Sequence, residues 1–331
     1  MQQCRAPRIA EHEFVSAHSN VDADIRLSVV IVNFNGMATL PALISSLRQY
    51  PMDFLEIIVA DDGSTDDSVR WLKSACTDVR IVELGYNSGN VGQVRNAGLR
   101  VARGTHVFLT DNDIQLLPGC LHHLLNVMLA DPDVFCVTPR LVHRENQEVI
   151  YQDGNHIHIL ALSMGANRGA EVSSIPSDQP FRTCGGGIML LDMNKTTEIG
   201  YFDEGFRHGW QDDAELQLRG VVLGYECLHV PKAVATHDAK VHGKRRAFGQ
   251  IHNRLRTLFT IYATSTLILL APSLTLFELM LFLGAAAGGF AGDYLRAWQH
   301  LWRTRNDVIS MRRTIQARRR RRDAEIFRTG P

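Results

Sequence analysis

The chain has no Cys-x-x-Cys pair, no Gly-x-Gly-x-x-Gly after its first apolar run, and no internal repeat. Its six cysteines (Cys4, Cys76, Cys120, Cys136, Cys184 and Cys227) are scattered. That pattern argues against a zinc site or a disulfide framework and fits reduced thiols. Without the glycine fingerprint, a dinucleotide-dependent dehydrogenase is set aside. Residues 1–26 carry no apolar core followed by a small-residue cleavage site, so they read as a mobile leader rather than a secretory signal. The basic residues lack interleaved aromatics, and nucleic acid is not an expected partner.

With 331 residues, there is room for one large domain or for a domain with an appendage. The formal net charge of zero conceals a split. Residues 1–239 hold 18 Lys+Arg against 30 Asp+Glu; residues 240–331 hold 17 against 5. An acidic body joined to an arginine-rich tail suggests a tail that meets phosphates.

In the body, apolar runs alternate with helical periodicity. Leu27 to Val32 is rich in β-branched residues, as a strand buried on both faces should be. A helical pattern follows from Met37 to Gln49. Glu56 to Ala60 is a second strand, running into Asp61-Asp62-Gly63-Ser64-Thr65-Asp66, where Ser64 or Thr65 is placed to cap the next helix. Further strands are expected at 79–82, 107–110, 134–138 and 188–191. The short loops between them predict a mainly parallel, right-handed α/β sheet. The less periodic segment 145–182 is placed to line or cover a substrate site. Gly185-Gly186-Gly187 lets the backbone pass close to something, either an acceptor or another strand.

At the centre stands Val107-Phe108-Leu109-Thr110-Asp111-Asn112-Asp113-Ile114. It sets two carboxylates at the carboxyl end of a buried strand, where open α/β sheets collect their ligands. Such hard oxygen ligands suit Mg²⁺ or Mn²⁺ held against a phosphate-bearing substrate.

The order Ser28-Val29-Val30-Ile31-Val32-Asn33-Phe34-Asn35-Gly36, Ala60 to Asp66, Arg95-Asn96-Ala97-Gly98 and Asp111-Asn112-Asp113 resembles the inverting family-two glycosyltransferases of the GT-A fold. Tyr201 to Phe206 and Asp212 to Arg219 look like that family's acceptor-side motif, so the similarity covers about residues 27–240. The resemblance implies a nucleotide-sugar donor and a glycan or lipid-linked acceptor, in a rhamnosyltransferase-like enzyme using a dTDP- or UDP-sugar. It implies that Phe34 packs on the base, with Val32 giving a backbone contact. Asp61 would bind the pyrimidine or ribose, with Asp62 adjacent, and Arg95 would approach the diphosphate. Asp113 and His237 would hold the cation, and Asp111 would lie nearer the ribose or metal-bound water. Asp213 is the preferred general base, although the family's Glu-Asp is here Asp212-Asp213, leaving either carboxylate open. On a helix starting near Asp212, Leu216, Val221 and Tyr225 face inward, while the helix dipole favours an ionised Asp213. A catalytically silent nucleotide-sugar-binding scaffold and a nucleotidyltransferase are the rival readings.

The domain is placed at residues 27–250, followed by a membrane-associating region at 251–331. Two apolar stretches, Leu267 to Ala271 and Leu274 to Gly292, flank Pro272, and Glu278 interrupts the second. We expect helices lying in or dipping into the cytoplasmic leaflet, with Tyr294, Trp298 and Trp302 at headgroup depth. Arg296, Arg303, Arg305, Arg312, Arg313 and Arg318 to Arg322 would then meet anionic lipid, each adding on the order of 1 kcal/mol.

Overall fold

A computed structural model describes residues 27–50, 55–175, 177–237 and 247–327; the leader at 1–26 lies outside them. Strands β1 (Leu27–Asn33), β2 (Leu55–Asp61), β3 (Val79–Glu83) and β4 (His106–Asp111) alternate with helices α1 (Leu40–Leu47), α2 (Ser68–Ala75) and α3 (Val91–Leu99). They are followed by β5 (Ile114–Leu116), α4 (Cys120–Ala130), β6 (Val134–His143) and β7 (Ile150–Gln152). The hairpin strands β8 (Asn155–Ile157) and β9 (Ser163–Gly165) come next, then β10 (Phe181–Arg182) and β11 (Met189–Asp192). Helices α5 (Met193–Ile199) and α6 (Asp212–Val222) lead to β12 (Glu226–His237).

The main sheet runs β10-β12-β6-β11-β4-β1-β2-β3, with β5 on β12 and β7 on β6. Pairs β1–β2, β1–β4, β2–β3 and β6–β12 are parallel, while β11 enters antiparallel between β4 and β6. This is the mainly parallel α/β sheet the sequence predicts.

Alternation along β1 explains the layering. Val29 and Ile31 point to one core with Leu40, Leu43 and Leu47 of α1 and Leu124 of α4. Val30 points to the other, with Leu99 of α3 and Leu216 and Leu218 of α6. Burial on both faces is why β1 reads as an unbroken apolar run. Helix α3 lies so close to the sheet that a Cβ on Gly98 would fall 2.3 Å from Val30 Cγ1.

Two local expectations fail. Neither Ser64 nor Thr65 caps α2, which begins after Asp67 with no acidic residue in its first turn. Asn35 Oδ1 instead accepts from the Thr65 and Asp66 N–H groups, binding residues 64–66 to the end of β1. Tyr225 lies past the end of α6 rather than on it; its ring packs on the second core beside Phe135 while its hydroxyl donates to Glu198.

Five described cysteines are buried free thiols, as their scatter implies.

Position 250 falls inside α7 (Ala247–Ile261), a helix buried along most of its length. The two expected apolar stretches are one helix, α8 (Thr264–Ala287), continuous through Pro272. Proline inside a helix loses one backbone bond and costs about 3 kcal/mol, so a break was the natural reading of the sequence. Helices α9 (Ala291–Arg303), α10 (Arg305–Ala317) and α11 (Asp323–Ile326) then return to the body. Ile315 and Ile326 join its second core. Several tail arginines are tied to protein: Arg318 to Glu198, Arg319 to Asp323, Arg321 to Glu226 and Arg312 to the Phe259 and Tyr262 carbonyls. Tyr294 is buried, whereas Trp302 is 69% exposed.

Candidate active site

The carboxyl ends of β1, β2 and β4 meet at one rim, and hydrogen bonds fix their loops together. Asn33, buried at the end of β1, donates to Asp61 Oδ2 at 2.7 Å and accepts from Asn112 Nδ2 at 2.8 Å. It thereby joins all three strand ends. Asp61 Oδ1 accepts from the Ser64 N–H and Oδ2 from the Ser64 hydroxyl. Asp61 is thus an organiser of the loop, 2% exposed, and its oxygens face protein donors rather than the cleft.

The cleft beside this rim encloses about 740 Å³. Val32, Phe34 and Asp62 form one wall, and Asn90, Val91 and Val94 continue it. Phe34 is 44% exposed, a free aromatic face of the kind that stacks on a base. Asp62 accepts the Ser88 N–H at 2.8 Å and lines the cleft.

Arg95 does not face the cleft as a diphosphate ligand. It is 4% exposed, donates to Asp212 at 2.7 Å, lies 3.8 Å from Asp111 and sits over the Phe202 ring at 5.2 Å. Its neighbour Asn96 exchanges hydrogen bonds with the Phe202 backbone and donates to Glu204. The Arg95-Asn96 motif therefore joins the donor rim to the acceptor-side segment. Arg256 of α7 holds that segment from the far side through Asp203.

Asp111 ends β4. Desolvation at the rim pushes its carboxyl up to about 6; Arg95 opposes this, and Asp113, Asp212 and Asp213 add to it. Its side chain keeps 40% of its surface open, so the crowding of four carboxylates matters beside burial. Burial also raises Asp212, against the pull of Arg95. Arg95 stays charged despite its own burial because Asp212, Asp111 and Asp213 surround it.

Asp213, in the first turn of α6, is only partly buried and accepts the Gly186 N–H at 2.7 Å through Oδ2. The glycine triplet passes close to side chains of strands β8 and β6 and to Arg95. An added Cβ would meet Asn155 at Gly185, Thr138 at Gly186 and Arg95 Nη2 at Gly187. Gly185 and Gly186 take φ of +129° and +128°, a backbone that L side chains rarely adopt.

Asp113 and His237 are brought together by register. β5 pairs antiparallel with β12, setting His237 opposite Ile114, and His237 Nε2 lies 3.7 Å from Asp113 Oδ2. Asp113 Oδ1 is buried without a hydrogen-bond partner. Tyr151 stacks on His237 at 4.3 Å, and Arg144 donates to the Asp113 carbonyl. Among the described residues no group of three His, Cys, Asp or Glu side chains is gathered to hold a metal. A cation here would rest on Asp113 and His237, with phosphate oxygens and water completing it, as magnesium commonly binds. Arg144 and Tyr151 carried no motif signal of their own; the pairing of β5, β6, β7 and β12 makes them neighbours of the site.

Residues 28–190 match the family model described as glycosyl transferase family 2. The chain is 27% identical over 224 residues to the hyaluronan synthase of Pasteurella multocida, covering 59% of this chain and 22% of that protein. It is 34% identical over 104 residues to the GalNAc(5)-diNAcBac-PP-undecaprenol beta-1,3-glucosyltransferase of Campylobacter jejuni, covering 30% of this chain and 33% of the relative. The structure of GalNAc-T7 with UDP, GalNAc and Mn²⁺ superposes with a TM-score of 0.62 at 18% identity, over 74% of this chain and 49% of that one. The chain thus belongs to the family-two glycosyltransferases and has the GT-A fold. It spans less than a quarter of the two Pasteurella multocida synthases it matches.

Proposed function

We propose that this protein is an inverting glycosyltransferase. It moves a sugar from a pyrimidine nucleoside diphosphate to a hydroxyl of a glycan or lipid-linked acceptor. The observation that carries this is the division of labour between adjacent carboxylates: Asp212 is locked on Arg95, while Asp213 is partly open at the helix start, near both Arg95 and Asp111.

Asp213 holds the Gly186 N–H through Oδ2, which leaves Oδ1 to take the acceptor's proton as the hydroxyl attacks the anomeric carbon. Arg95 keeps Asp212 from competing for that proton and sets the distance between acceptor and donor sides. Phe34 and Val32 hold the base, and Asp62 accepts from its N–H or from the ribose. Attack from the Asp213 side with departure on the Asp111 side inverts the sugar. Asp113 and His237 fit Mg²⁺ or Mn²⁺, which would supply Lewis-acid stabilisation of the departing diphosphate. A rhamnose-type sugar on dTDP or UDP is the donor we favour.

The tail supports a place at the cytoplasmic face of a membrane. Helix α8 is long and apolar enough to cross one, with mean hydropathy 2.1 over its best window. One face, through Leu267, Leu270 and Leu274, packs on the body. The other presents Ile268, Leu269, Leu276, Leu279 and Leu283, each more than half exposed. Glu278 reaches Arg254 of α7 and the Tyr294 hydroxyl of α9, so its charge is paired against protein. A helix held along one side favours lying in the interface over crossing it.

The test is incubation with UDP- and dTDP-sugars, with and without Mn²⁺, while identifying the released product. Nucleoside diphosphate supports transfer; pyrophosphate from a nucleoside triphosphate would establish a nucleotidyltransferase instead.

A further inference from the structure

The far wall of the donor cleft is built by the tail. Phe248 and Gly249 at the start of α7 and Asp293 and Arg296 in the first turns of α9 face the same 740 Å³ as Val32 and Phe34. Among the described residues lining this cleft, Arg296 is the one lysine or arginine. Arg95, the cation expected at the diphosphate, lies buried against Asp212. Arg296 has 68% of its side chain open and is tethered by Asp293 one turn earlier. Tyr294, next to Asp293, fixes the wall: it is buried, donates to Glu278 of α8 at 2.9 Å and packs on Phe282 at 5.4 Å.

Resting on the donor reading above, we infer that Arg296 of the tail helix α9 is a phosphate-binding residue of the nucleotide cleft, so the donor site is complete only when the tail is docked. A guanidinium is suited to this because its planar fork matches two phosphate oxygens and its charge persists at any working pH. Asp293 holds the side chain over the cleft until a phosphate takes its place, and Tyr294 with Glu278 prevents α9 from swinging away.

Binding of UDP and of uridine to the full chain in detergent, by calorimetry, tests the inference. Arg296→Gln should weaken UDP about tenfold, as expected for losing a charge-assisted bond, and leave uridine unchanged. Arg296→Lys should fall between the two. Asp293→Asn should bind UDP at least as tightly as the parent chain. UDP binding in Arg296→Gln equal to the parent's, or an equal loss for UDP and uridine, would overturn the inference while the donor reading survives. If the parent chain bound neither UDP nor dTDP, the donor reading itself would fall.

Discussion

The sheet rim and the tail both carry more charge and apolar surface than a simple packing scheme accommodates, and they resolve it differently. At the rim and the segment it joins, ionised groups are buried and paired: Arg95 with Asp212 and Arg256 with Asp203. In the tail, pairs such as Arg319–Asp323 and Arg321–Glu226 are also largely buried and Arg318–Glu198 lies at the surface, while leucines that would belong in a core stand open along α8. A buried pair is costly to break and holds atoms in fixed positions, which chemistry requires. An exposed apolar face is costly in water and is relieved by a lipid phase. The first arrangement fits a reaction centre and the second an attachment.

The comparison breaks most easily at the carboxylates. Asp213→Asn and Asp113→Ala should each lower turnover by roughly 10²–10⁴, with little change in melting temperature. Steady-state rates at parental levels in either variant would remove the assigned role. Asp212→Asn should act on folding instead. It leaves Arg95 buried without its partner, at a cost of about 3–5 kcal/mol, seen as a lower denaturant midpoint. If Asp212→Asn were stable yet inactive, the two neighbours would exchange roles.

On the tail, the pair Leu269→Glu and Leu276→Glu places charge on the open face of α8 without touching the body. Each charge opposes insertion by about 2.5–3.5 kcal/mol at a helix centre. The double variant should therefore move from the membrane to the soluble fraction while still melting cooperatively. Unchanged partitioning would mean that the exposed leucines meet something other than lipid. These substitutions are preferable to deleting the tail, since α10 and α11 complete the second core through Ile315 and Ile326.

The smallest expected effect is a pH dependence at the junction. His252 of α7 is pushed down to about 4, chiefly by burial, and lies 3.1 Å from His300 of α9. A histidine depressed in the folded state contributes stability above its unfolded value near 6.5. That contribution is lost as pH falls toward 4, because the unfolded chain binds more protons across this window. Melting followed between pH 7 and 4 should show a decline that His252→Asn flattens; an unaltered slope would place the titration elsewhere.

Much of this molecule was legible in its residues. The β-branched run at β1, the alternation of strand and helix, the Asp-Asn-Asp turn and the glycine triplet all reflect local rules of periodicity and backbone freedom. The same rules misread the stretch around Pro272, where a helix continues with Leu267, Leu270 and Leu274 resting on the second core. They also chose Asp61 over Asp62 for the cleft, and did not foresee that Arg95 lies buried. Those outcomes depend on groups far apart in the chain: Asn33 on Asp61, Arg95 on Asp212, Asp113 beside His237 through the β5–β12 register.

Taken alone, the sequence determined the layered α/β body, the family it belongs to and the apolar character of its tail, since each follows from short-range pattern. Only the tertiary structure decided which carboxylate is free, which arginine faces the cleft and which side of α8 stays open. A side chain's chemistry depends on the neighbours that desolvate it or neutralise it, and those neighbours come from elsewhere in the fold.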